Sequence, residues 1–205
     1  FLKILAKKIN CKIELTKYLI NVLLATVCDV MPLRKLNRLI AKKVIKEFKI
    51  TENIVFKELY ELNNKKNKIS INDLGYLIGP ILNSGGRLGK SNYATELLTS
   101  ESQKLIKKRS LELINLNNER KRIEDITLKN IDLSILENQN KNVIIYYNPT
   151  INEGIIGIIA SRLKDYFNKP SFVITNSNSI LKGSARSIYK YDIGRVIKLS
   201  LDKNL

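Results

Sequence analysis

The sequence predicts an α/β protein: a mostly helical first part, one long connecting helix, and a small α/β domain at the end. Three observations carry this. Through the first hundred residues, apolar side chains recur at helical spacing, as in Leu19, Leu23 and Val27, or Ile71, Leu74, Ile78 and Ile81. From Ser102 to Leu128 there is no Gly or Pro, and apolar residues return at Ile106, Leu113, Leu116 and Ile123. That run predicts one helix of ~40 Å at about 1.5 Å per residue, long enough to join two lobes. The remaining residues read β-α-β-β-α.

Taken in order, the chain opens on a helix over residues 1–20, with Phe1, Leu5 and Ile9 on one face and Lys3, Lys7 and Lys8 between them. A second helix covers Thr16 to Val27. Asp29 follows it and precedes Val30-Met31-Pro32-Leu33; Asn37-Arg38 and a basic helix through Phe48 come next. Glu52 to Leu62 is helical, and Asn63 to Lys68 is a polar loop. Ser70 caps the helix of Ile71, Leu74, Ile78 and Ile81, which Pro80 disturbs late. The run Asn83-Ser84-Gly85-Gly86-Arg87-Leu88-Gly89 reads as a glycine-rich turn. On the long helix the charged side chains of Lys107, Lys108, Arg109, Arg120, Lys121 and Arg122 read as a solvated face. Asn130 to Asn142 reads as a polar linker. A buried strand, Val143 to Tyr147, then opens the last domain. A helix from Glu153 through Leu163, a strand over Ser171–Thr175, the Gly183–Ser187 segment and a helix from Asp192 complete it.

The composition narrows the partners. With 205 residues and 44% apolar content the chain can bury a real core. Its longest apolar run, Tyr18 to Cys28, is interrupted by Asn21 and falls short of the ~20 residues of a membrane span. No secretory signal is visible, and Cys11 and Cys28 do not form a CxxC pair, so a reducing cytoplasm is expected. There is no His and no thiolate cluster, which argues against zinc. The net charge is +17, concentrated in the first fifty residues. Such an excess favours a polyanion, here a nucleic acid. The competing explanation is a general richness in Lys, Asn and Ile that scatters charge without a groove.

Three stretches carry chemistry. Lys182-Gly183-Ser184-Ala185-Arg186-Ser187 combines a Gly, two hydroxyls and a guanidinium that can grip an oxyanion in bidentate fashion. It suits the terminal phosphate of a nucleic acid, though the same residues occur in ordinary β-turns. Arg87 in its glycine-rich run can hold a phosphate together with backbone amides, or the run can be a flexible loop. Asp29, at the end of an apolar element, either ligates a divalent cation or caps the next helix. Gly154 and Gly157 are poor helix formers, and their place at a helix start suggests close approach.

Together these stretches resemble the RecJ family of single-strand-specific 5′→3′ exonucleases, in the DHH phosphoesterase superfamily. Ala25-Thr26-Val27-Cys28-Asp29-Val30-Met31-Pro32-Leu33 with Asn37-Arg38, Ile78 to Leu88, Leu116 to Arg120, Gly154 to Leu163 and Gly183 to Ser187 carry the likeness, in the family's order. The resemblance implies that residues 1–100 are the C-terminal part of a DHH catalytic domain. It implies that 101–130 form the connecting helix and 131–205 a DHHA1-type nucleic-acid-binding domain. Asp29 would then be one carboxylate of a Mn²⁺ or Mg²⁺ pair. Arg87, Ser184 and Arg186, with Gly183, would bind the 5′ phosphate of single-stranded DNA, and Asn83 and Arg162 would position substrate.

The departures are equally specific. The family's Asp-x-Asp and Asp-His-His motifs are absent, and the chain starts on Phe1, so an upstream portion and an inactive fragment are expected. Asn152 stands where the family has a His, Ile81 replaces an Arg, and Leu181 replaces a Gly. Two alternatives therefore stand beside a repair and recombination exonuclease. One is a non-catalytic single-strand-binding scaffold. The other is a phosphodiesterase for very short RNAs or cyclic dinucleotides, which carries Gly-Gly-Gly-His where this chain has Gly-Ser-x-Arg-Ser.

Overall fold

The computed structural model describes residues 2–10, 15–65, 68–138 and 142–203; Phe1, Cys11, and residues 66–67 and 139–141 of the predicted loop and linker lie outside them. The chain divides into two units. One comprises the residues up to Asn83 with Tyr93–Ile114; the other comprises Ser84–Asn92 and the residues from Asn115 onward. Among the described residues no helix is long and apolar enough to cross a membrane.

The first unit is helical. Helix α1 (Leu2–Lys8) is shorter than the predicted 1–20 span, and Asn10 takes a left-handed φ of 51° just past it. Leu5 and Ile9 are exposed. After a 3₁₀ turn (Leu15–Tyr18), α2 (Leu19–Cys28) buries Ile20, Leu23, Leu24 and Thr26, so its buried face lies beside the predicted Leu19–Leu23–Val27 stripe.

The end of α2 is a Schellman closure: the Val30 amide donates to the Val27 carbonyl (3.1 Å) and the Met31 amide to the Thr26 carbonyl (2.9 Å). The closure requires a left-handed residue, and a β-branched one supplies it: Val30 has φ 53°. Helix α3 (Lys35–Glu47) begins before Asn37-Arg38 rather than after it, burying Ala41 and Val44 beneath a basic outer face. A 3₁₀ turn (Ile50–Glu52) leads into α4 (Ile54–Leu62), which starts two residues after the predicted Glu52. Asn53 caps it by accepting from the Val55 and Phe56 amides.

Ser70 caps the next helix as its position predicts, accepting from the Asp73 amide at 3.0 Å. This helix is a relay: α5 (Ile71–Asp73), a π-helical turn (Leu74–Ile78) and α6 (Gly79–Arg87). Pro80 explains the wide turn, because without an N–H it cannot close an α-helical bond to the carbonyl four residues back. The ladder widens just before it, where the Gly79 amide donates to the Leu74 carbonyl. The predicted glycine-rich turn is therefore mostly helix. Only Gly89 is left-handed (φ 77°), and the Lys90 amide reaches back to the Gly85 carbonyl.

Helix α7 (Tyr93–Thr99) was not foreseen, and its Glu96 explains a second departure. On α8 (Gln103–Lys129), Arg109 is only partly exposed and is paired: it donates to Glu96 and Glu112, each at 2.6 Å, and lies 3.9 Å above the Tyr93 ring. The predicted Ser102–Leu128 helix is otherwise observed. Its residues through Ile114 belong to the first unit and the rest to the second.

The second unit has its own core. The predicted linker contains α9 (Leu133–Glu137), capped by Asp132, and it buries Ile131 and Leu136. Strand β1 (Ile144–Tyr147) alternates rather than being buried throughout, with Ile144 inside and Ile145 and Tyr147 exposed. Helix α10 (Ile156–Phe167), β2 (Ser171–Ser177), β3 (Ile180–Arg186) and α11 (Ile193–Asp202) complete the expected β-α-β-β-α order. The sheet runs β1-β2-β3, with β1 parallel and β3 antiparallel to β2. Asn178 and Ser179, both at positive φ, turn β2 into β3 as a two-residue hairpin requires. Ile144, Ile155, Ile156, Ile159, Ala160, Leu163 and Val173 pack α10 against the sheet.

Candidate phosphate-binding site

The site belongs to the second unit and is built on the start of α10. In the β2–β3 register Val173 faces Ser184 and Ser171 faces Arg186. Ser184 and Arg186 are two residues apart, so they share one face of β3, the face on which Val173 packs against α10. Arg186 Nη1 donates to Ser184 Oγ at 3.2 Å and to its neighbour's carbonyl, that of Ala185, at 2.9 Å.

Two glycines let these groups reach the helix end. A Cβ on Gly157 would lie 2.8 Å from Arg186 Nη2 and 3.1 Å from Ser184 Oγ. A Cβ on Gly154 would lie 2.0 Å from the Arg87 carbonyl oxygen. Arg87 in turn donates Nη1 to the Gly154 carbonyl at 3.0 Å. The N-cap residue of α10, Ile155, offers no side-chain acceptor to the first-turn amides. Asn152 is exposed and accepts from the Gly154 amide at 2.8 Å.

The electrostatics are one-sided. Arg87 is half-buried, and burial first, then the charges of Arg120 and Arg186, holds its guanidinium below the usual pKa, with Glu124 pulling the other way. A guanidinium stays charged regardless. Among the described residues neither Arg87 nor Arg186 is paired with a carboxylate.

The remaining predicted residues fall elsewhere. Arg162, on α10, donates Nε to Glu124 at 2.9 Å. Gly183 lies on β3 one residue from Ser184, so it faces the other side of the sheet. A Cβ there would meet Ile174 at an ordinary 3.6 Å, so the close approaches are at Gly154 and Gly157 rather than at Gly183. Leu181 is exposed and Ile81 buried. Asn83 is exposed on α6, and both it and Asp29 belong to the first unit. Asp29 is the exposed C-cap of α2, with its amide bonded to the Ala25 carbonyl at 2.9 Å. It therefore ends a helix instead of capping the next one. Among the described residues no three His, Cys, Asp or Glu side chains could hold a metal ion together. One exposed carboxylate cannot by itself complete a two-metal centre.

Comparison with known proteins decides the relationship. No family model matches the chain. Over 175 residues it is 34% identical to the single-stranded-DNA-specific exonuclease RecJ of Haemophilus influenzae, covering 82% of this chain and 30% of that protein. The RecJ of Bacillus subtilis is 31% identical over 174 residues, 83% of this chain and 22% of that one. The chain is related to RecJ. It spans less than a third of the length of these relatives.

The fold agrees. A crystal structure of Thermus thermophilus RecJ in complex with Mn²⁺ superposes with a TM-score of 0.80 over 97% of this chain and 29% of that one, at 23% identity. A manganese-bound exonuclease RecJ gives 0.74 over 97% and 49%.

Sequence reasoning did not reach three residues beside this site: Asn117, Arg120 and Glu124 on α8. Ile106, Ser110, Leu113, Asn117 and Glu124 are all buried, and with Arg120 they follow one another at steps of three and four. The seam is apolar at Ile106 and Leu113, with a small Ser110 between them, and carries large polar groups from Asn117 onward. Polar residues continuing an apolar helical stripe were the available signal.

Proposed function

We propose that this chain is part of a metal-dependent, single-stranded-DNA-specific 5′→3′ exonuclease of the RecJ type, acting in the cytoplasm in DNA repair and recombination. Residues 131–205 correspond to a DHHA1-type domain, 1–100 to part of a DHH domain, and 101–130 to the connecting helix. The site at the start of α10 takes the 5′-terminal phosphate. One observation carries this reading: Arg186 and Ser184 converge with Arg87 on a helix N-terminus cleared by Gly154 and Gly157. Two guanidiniums without carboxylate partners, beside an uncapped helix start, form an environment for a compact dianion. In the first unit, Asp29 would contribute one carboxylate toward Mn²⁺ or Mg²⁺, and Asn83 would position substrate.

Binding of a fluorescent 12-nucleotide single strand, with either a 5′ phosphate or a 5′ hydroxyl, tests the reading. The phosphorylated strand is expected to bind about tenfold or more tightly, the worth of one charge-assisted contact. Arg186→Ala is expected to abolish the difference. Equal affinity for the two ends in the unsubstituted chain would refute the pocket.

A second reading, a non-catalytic single-strand binder, is favoured by the missing metal cluster among the described residues. Incubating the chain with phosphorylated strand and Mn²⁺ separates the two. Binding without degradation is expected from these residues, and processive degradation would overturn that expectation.

A further inference from the structure

Two arginines bond one buried carboxylate in the second unit, a third, Arg87, feels its charge, and a fourth, Arg186, acts on Arg87; they are not equivalent. Glu124 is only 7% exposed at its side chain, and both of its oxygens are taken. Oε2 accepts from Arg120 Nη1 and Oε1 from Arg162 Nε, each at 2.9 Å. Arg120 is largely shielded, 11% exposed at its side chain, and its Nε and Nη2 both donate to Asn117 Oδ1, at 3.3 and 3.2 Å. Arg120 is thus committed to the protein through all three nitrogens. Arg87 donates to a single backbone carbonyl, and Arg186 to Ser184 and Ala185. Yet Arg87 is close enough to Arg120 and Glu124 to feel both charges.

We propose that Glu124 is a positioning residue that sets the selectivity of this site. It commits Arg120 to the protein and engages Arg162 through one nitrogen, leaving Arg87 and Arg186 as the pair that grips a terminal phosphate. The inference rests on the phosphate-pocket reading above and concerns how the pocket discriminates. With all four guanidiniums free, an anionic strand could spread its internal phosphates over the cluster. The carboxylate takes up Arg120 and engages Arg162 through its Nε, the Arg162 side chain staying 60% exposed, and adds a negative charge that disfavours an extended backbone there. What remains suits one compact dianion presented by a strand end.

The test uses the whole chain and the two 12-nucleotide strands, titrated at several salt concentrations. Glu124→Gln preserves shape and removes the charge. The 5′-hydroxyl strand is expected to bind severalfold more tightly, with the slope of log affinity against log salt steeper by about one. The preference for the 5′ phosphate is expected to fall about tenfold, the worth of one charge-assisted contact. Glu124→Asp keeps the charge but is too short to bridge both arginines. It is expected to lower the phosphate preference by less, without tightening the 5′-hydroxyl strand, and it serves alone if the Gln variant does not fold.

An unchanged preference in the folded variants would overturn the inference, as would equal losses for both strands, the mark of a merely structural role. The pocket reading is checked separately. If the unsubstituted chain shows no preference, the pocket itself fails and this inference with it. If the preference is present and lost in Arg186→Ala but unmoved in both Glu124 variants, only the inference fails.

Discussion

Replacing Gly157 by Ala separates what the fold needs from what the pocket needs. The new methyl would sit 2.8 Å from Arg186 Nη2 and 3.1 Å from Ser184 Oγ, where ordinary contact begins at 3.4 Å. The obstructing atom is the free end of a long side chain, so the guanidinium swings away at little cost to folding. Ala for Gly inside a helix contributes up to about 1 kcal/mol in the other direction. The variant is therefore expected to melt no lower than the original chain. Its phosphate grip suffers, because a displaced guanidinium forfeits a charge-assisted hydrogen bond worth about 1.5–3 kcal/mol, roughly tenfold to a hundredfold in affinity.

Thermal melting and anisotropy with the 5′-phosphorylated strand read the two quantities independently. Gly154→Ala is the contrast, since its methyl would fall 2.0 Å from a backbone carbonyl that cannot swing aside. Loss of about 3 kcal/mol of stability is expected there, at the upper end for overpacking. If Gly157→Ala kept full phosphate preference, Arg186 would not act at the helix start. If it destabilised the chain as much as Gly154→Ala, the guanidinium would not be free to move. Either outcome refutes the reasoning.

Two further outcomes concern the first unit. Val30 supplies the left-handed residue of a Schellman closure, a conformation costing an L side chain about 1–2 kcal/mol. Val30→Gly removes that cost and adds unfolded-state entropy, so a net gain of ~0.5–1 kcal/mol is expected by urea denaturation, and a loss would refute the strain. Burial alone would raise the Asp73 carboxyl, but Ser70 and Lys65 bond to it and hold it below the usual carboxylate range. Its folded pKa being depressed, its contribution to stability is complete above the unfolded value of about 3.9 and is lost as pH falls through the lower folded one. Asp73→Asn should remove that portion of acid sensitivity, and identical acid melting profiles for the two chains would contradict the assignment.

The legible parts of the fold were those whose signal is local. Ser70 and Asp192 cap helices where a side-chain oxygen at the right offset announces them, and α8 follows from an unbroken run without Gly or Pro. The glycine-rich stretch misled because composition reports what a residue tolerates, not what it adopts. Gly85 and Gly86 are helical because Pro80 sits in the first turn of α6 and Gly89 supplies the closure beyond it. In the polar linker, Ile131 and Leu136 are too few to show a period, yet two apolar side chains suffice to dock a one-and-a-half-turn helix. Arg109 read as a solvated charge because its partner Glu96 lies on a different helix, beyond the reach of any pattern along α8.

The site divides the same way, and the division has a physical cause. Arg87, Ser184 and Arg186 could be named from sequence because their chemistry is intrinsic: a guanidinium or hydroxyl can meet a phosphate wherever it stands. The role argued for Glu124 is relational. A carboxylate on a Lys-rich helix is an unremarkable surface charge until Arg120, four residues along the same helix, and Arg162, from α10, both turn toward it. Burial then changes the meaning of the group, because an acid removed from water must be satisfied by cations, and the cations it satisfies are withdrawn from other work. The selectivity of a basic pocket therefore depends on which of its arginines are already spoken for. That is settled by contacts between α8 and α10, of which the spacing within either helix supplies only half.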